Sequence, residues 1–204
     1  MRRAPAVFFS LAILGFACGP GDRESSGGVI PEPGQGPRGR ADSLYAEGAF
    51  SEARDRWLED LRQVRAAGDD EAAAALLTSL GLVARHLGDY ASSRAWGEEG
   101  LELKLRLGLD GELFRSYNAL GLLAWTEGRL DDASRLFTEA SRSAAAVGDD
   151  LSVAKALANL AQIDTDQGEW SSARRGFQAL EQASRAAADT ILLGRALINV
   201  AMLD

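Results

Sequence analysis

Four glycines, Gly48, Gly88, Gly128 and Gly168, stand forty residues apart along this chain of 204. A strict interval of that size describes a stacked array of similar units rather than one globular core. Other positions keep the same beat. Two residues after each glycine comes a large apolar side chain: Phe50, Tyr90, Leu130 and Trp170. Five after it comes a small one: Ala53, Ser93, Ala133 and Ala173. Nine after it stand Trp57, Gly97, Phe137 and Phe177. A second glycine row, Gly68, Gly108 and Gly148, falls midway and becomes Ala188 in the last copy.

Each period reads as two helices. Leu76, Leu77, Leu80, Val83, Ala84 and Leu87 recur at helical spacing within a proline-free stretch, which predicts a helix over Ala72–Leu87. Gly88 ends it, because glycine takes the left-handed conformation at a helix C-terminus without a steric cost. A second helix is expected over Ala91–Leu107, and the pair recurs as Leu113–Glu127 with Asp131–Val147 and as Leu151–Gln167 with Ser171–Ala188. Ala133 and Gly121 are placed where two helices cross, with Phe137 and Leu120 filling the space beside them. A helix this apolar on one side must stack on a neighbour.

With Tyr117, Leu120-Gly121, Ala133, Phe137 and Ala140 in phase, and Leu157, Leu160-Ala161, Ala173, Phe177 and Leu180 repeating them, the chain resembles the tetratricopeptide repeat over residues 41–204. The usual period of that family is roughly thirty-four residues, so this is a longer variant. HEAT solenoids have a similar period but do not require the small-residue phasing. The resemblance implies an all-α, right-handed helical-hairpin solenoid whose first helices line a concave groove.

Arg2 and Arg3 precede an apolar run, Ala4–Ala17, that is too short to span a bilayer, which needs roughly twenty apolar residues. Residues 1–17 read as a signal peptide. The stretch Leu14-Gly15-Phe16-Ala17-Cys18 resembles a bacterial lipobox, although Leu14 stands one position further from the cysteine than the pattern expects. On that resemblance Cys18 carries the lipid. The alternative is a plain secretory signal with an incidental cysteine. Residues 18–40 are rich in Gly, Pro and Ser and read as a linker that buries no core. Its reach is on the order of 25 Å. These features imply a cell-envelope lipoprotein on the outer membrane, facing the periplasm or the exterior, with Gly19 after the cysteine pointing to that membrane by analogy with enterobacterial sorting.

The formal charge is −8, and −10 once Arg2 and Arg3 leave with the signal, which disfavours nucleic acid and anionic lipid as partners. Only Lys104 and Lys155 are lysines, and the excess of Arg reads as coding bias. No catalytic constellation is found, and neither metal nor cofactor is expected. The single histidine, His86, is expected at the groove or its rim. Asp69-Asp70 and Asp149-Asp150 precede helix starts, where carboxylates cap free amides.

Binding is therefore assigned to the groove. Carried over from the family, the groove residues are Arg115, Asn118 and Trp125 in the third copy, Lys155, Asn159 and Gln162 in the fourth, and Arg195 and Asn199 in the fifth. Arg115, Lys155 and Arg195 share one register and would form a cationic stripe for an acidic segment; the alternative is exposed positions filled by the arginine bias. Asn159 and Asn199 match an asparagine that holds peptide backbone in some family members. The last helix, Ile191–Asp204, is apolar nearly all round and stops before the glycine expected at 208. It belongs to a longer array, docks on a partner or a second copy, or closes the stack. The function expected is a tethered protein–protein interaction scaffold without catalysis. A sensor for a short peptide or small anion is the rival.

Overall fold

The computed structural model describes residues 37–203. Cys18, the signal, most of the linker and Asp204 lie outside them. Among the described residues nine α-helices follow in order: α1 (Pro37–Ala46), α2 (Phe50–Ala66), α3 (Asp70–His86), α4 (Tyr90–Leu107), α5 (Leu113–Thr126), α6 (Leu130–Ala146), α7 (Asp150–Gln167), α8 (Trp170–Ala186) and α9 (Thr190–Ala201). There is no strand among the described residues. Each helix packs chiefly on the next in sequence, so the molecule is an all-α array of helical hairpins. The expected helix ends agree to within about three residues.

The glycine rows set the turns. Gly48, Gly68, Gly88, Gly108, Gly128, Gly148 and Gly168 all have φ between 69° and 81°. The closing pattern recurs: at Gly88 the glycine N–H bonds the Arg85 carbonyl and the next N–H, of Asp89, bonds the Ala84 carbonyl at 2.9 Å. Ala188 holds the same place in the last copy at φ 55°. An L-residue pays about 1–2 kcal/mol there. Ala188→Gly is expected to raise stability by about 0.5–1 kcal/mol, the remainder being lost to unfolded-chain entropy. Thermal unfolding checks it, and an unchanged or lower midpoint contradicts it.

Aspartates start the first helices. Asp69 Oδ1 accepts the Ala72 N–H at 2.9 Å, Asp149 Oδ1 the Ser152 N–H at 3.0 Å, and Asp189 Oδ1 the Leu192 N–H at 2.9 Å. Leu109 fills this register in the third copy and cannot cap. There the chain instead makes a short 3-10 turn, Asp110–Glu112, before α5.

Where hairpins close, small residues meet large ones. Ala133 and Phe137 are fully buried on α6. A Cβ added to Gly121 would sit 2.6 Å from the Phe137 ring, so the ring occupies the room that glycine leaves. The second copy reverses the pair. Ser93 replaces the alanine and donates to the Gly81 carbonyl at 2.7 Å. Gly97 stands where the aromatic would be, and Leu120 of α5 moves into its place.

At the far end, Leu192 and Ala196 of α9 are buried, while Ile191 is 70% and Ile198 56% exposed. Thr78, Asn118 and Ala158, the earlier residues in Ile198's register, are all buried. The α9 surface left open is thus the one that a following pair covers in the other copies.

Candidate functional site

The first helices of the later pairs, α3, α5 and α7, meet along a seam of polar contacts. Thr78 on α3 and Ser116 on α5 are buried with their hydroxyls 3.5 Å apart. Between α5 and α7, the Asn159 amide donates to Asn118 Oδ1 at 2.7 Å, and both side chains are buried. Nearer the helix ends, the Trp125 indole N–H donates to Asp166 Oδ2 at 3.2 Å, and Gln162 approaches the other oxygen of that carboxylate at 3.5 Å.

The groove residues expected from the sequence therefore divide. Arg115 is exposed and Arg195 half-buried, whereas Lys155, in the same register on α7, is buried. Asn118 and Asn159 come together as a pair that ties neighbouring helices. Trp125 and Gln162 converge on Asp166. Asn199 is half-buried on α9. His86, expected at the groove or its rim, lies exposed at the end of α3. Its ring stacks on Phe50 with centroids 4.7 Å apart and stands edge-on to Tyr45 at 5.6 Å, so it belongs to the junction between the first two pairs. Partial burial, followed by the neighbouring Arg85 charge, lowers its pKa.

The cluster that sequence reasoning missed is centred on Lys104. Its ammonium, only 1% exposed, lies 3.0 Å from Thr78 Oγ1, 3.2 Å from Ser116 Oγ and 3.2 Å from Glu112 Oε2. Burial lowers its pKa, and the Glu112 carboxylate works against that shift. Beside it opens a cavity of about 150 Å³ whose lining includes Glu112, Arg115, Asn118 and Leu82. The two lysines are thus not incidental to the arginine-rich composition, since both occupy buried positions. One signal was present in the sequence. Lys104 occupies the register that holds Val64, Ala144 and Ser184 in other copies. Arginine's rigid fork does not fit such a narrow, three-oxygen site, whereas a compact ammonium does.

Among the described residues no three His, Cys, Asp or Glu side chains gather in a way that could hold a metal ion. No described helix is long and apolar enough to cross a membrane.

The fold and this seam define a class, the helical-hairpin solenoid. Among solved structures, the crystal structure of BtubC (BKLC) from P. vanneervenii is similar, with a TM-score of 0.62 and 15% identity over 82% of this chain and 78% of that one. That likeness is one of fold. No family model and no curated protein matches the sequence.

Proposed function

We propose that this protein is a tetratricopeptide-like interaction scaffold or assembly factor of the bacterial cell envelope, tethered through a lipid on Cys18. It seats an acidic segment of a partner protein against the face formed by α5, α7 and α9. One observation carries the reading. Neighbouring first helices are locked side by side by Asn118–Asn159 and Trp125–Asp166, giving a rigid platform, and Arg115 stays exposed on it without an ion pair among the described residues. A preformed surface loses little entropy when it binds an extended chain. A guanidinium left open there grips carboxylates in bidentate fashion.

The test is a crosslinked pull-down from native envelopes, with Arg115→Ala/Arg195→Ala beside wild type. Lys155 stays intact because its burial would mix folding with binding. Partner recovery is expected to fall at least about tenfold, the loss of two charge-assisted contacts. Equal recovery by a folded variant removes the cationic face from the account.

A further inference from the structure

The lysine beside the cavity, Lys104, has no counterpart in its register at the other pair junctions. Val64 and Ala144 hold the lysine's register elsewhere, so the array packs without an amine there. Burying a charged group costs more than apolar packing in its place. Keeping the sealed Lys104 ammonium, with Thr78 and Ser116 as its buried partners, calls for another role. The 3-10 turn that delivers Glu112 also occurs only at this junction among the described residues.

We propose that this cavity binds a small aliphatic carboxylate, with the ligand taking the place that Glu112 now holds at Lys104. Charge gives the first argument. The lining carries two cations, Lys104 and Arg115, and one anion, Glu112. When Glu112 turns outward, a monoanion bridging the two cations restores the charge that the site holds now. Geometry gives the second. The Glu112 side chain is 42% exposed, while Lys104 is sealed behind it. The glutamate can turn outward at little desolvation cost, and the incoming carboxylate then meets the Lys104 ammonium and the Arg115 guanidinium. Size gives the third. A cavity near 150 Å³ holds a ligand of about six heavy atoms, and Leu82, Ala75 and Ala119 supply an apolar wall for a short alkyl tail. Because Lys104 comes from α4, Thr78 from α3 and Ser116 from α5, an occupant would join two successive pairs. This ligand shares Arg115 with the protein partner proposed above, but its binding needs neither that partner nor a lipid anchor.

The experiment is a titration of the full chain with butyrate, followed by amide resonances, with butyramide and inorganic phosphate in parallel at constant ionic strength. Butyrate is expected to produce saturable shifts around Thr78 and Ser116, and butyramide none. Arg115→Gln is expected to weaken butyrate at least about tenfold, as loss of a charge-assisted hydrogen bond does. Glu112→Gln is expected to tighten it about threefold or more by removing the internal competitor. Lys104→Met should abolish it. If that buried variant does not fold, the opposite signs at positions 115 and 112 decide the matter. Absence of saturation, equal response to butyramide, preference for phosphate, or indifference to Arg115→Gln overturns the proposal.

Discussion

Phe137→Ala is expected to lower the unfolding free energy by about 3–5 kcal/mol, the ordinary cost of emptying a buried aromatic site. The ring is fully buried, packs with Leu122, Ala124, Ala133 and Ile163, and fills the recess over Gly121. Collapse cannot refill that recess cheaply. The surrounding α5, α6 and α7 are each held by a further neighbour, so closing the gap would pull a second interface apart. In an array whose pairs touch only their neighbours, a loss in the middle uncouples the two halves. Denaturant unfolding should therefore show a lower midpoint and, in the variant, a broader or divided transition. Trp170→Ala is the matched control, because that side chain is 54% exposed despite its conspicuous place in the repeat. It should cost less than about 1 kcal/mol. A Phe137→Ala penalty no larger than that of the control would mean that the hairpins are not packed as described.

Gly176→Val is the second large effect. A Cβ at this position would lie 2.6 Å from the Ala161 Cβ and 2.7 Å from the Leu157 carbonyl oxygen. The obstacle is partly backbone, so a rotamer change cannot relieve it. α7 and α8 would have to move apart, and β-branching adds two methyls to the clash. Overpacking of this kind costs about 1–3 kcal/mol and occasionally more, which outweighs the roughly 0.5–1 kcal/mol that a helix gains on losing a glycine. Thermal unfolding beside Gly194→Val separates the two terms, since nothing lies within 4 Å of a Cβ at Gly194. A Gly176→Val protein as stable as wild type would contradict the close α7–α8 crossing.

Much of the architecture was legible because it repeats. Gly88, Gly128 and Gly168 could be read as helix ends from their interval alone, and Ala133, Gly121 and Phe137 as a crossing from their phase. Gly176 was not legible. Trp96 and Leu136 hold its register in earlier copies, so no period requires a glycine there, and only the approach of α7 explains it. The polar seam was half legible. Asn118, Asn159, Trp125 and Gln162 stood out as residues of one face, but their pairing between successive first helices depends on helix separation, which periodicity does not supply. Lys104 was hidden for the opposite reason. A single lysine in one copy leaves no periodic trace, and its partners Thr78, Glu112 and Ser116 come from three different segments. The one mark it leaves in the sequence is its mismatch with Val64, Ala144 and Ser184 in the same register.

The proposed function puts a protein partner on the face of the first helices. Photocrosslinking tests it most directly, with a photoreactive residue placed in the full chain at Gln162 on α7 or at Arg142 on α6. Illumination of intact envelopes should give the same partner adduct from position 162 and little or none from position 142. An adduct formed from position 142 but not from 162 would place the partner on the second helices and contradict the claim.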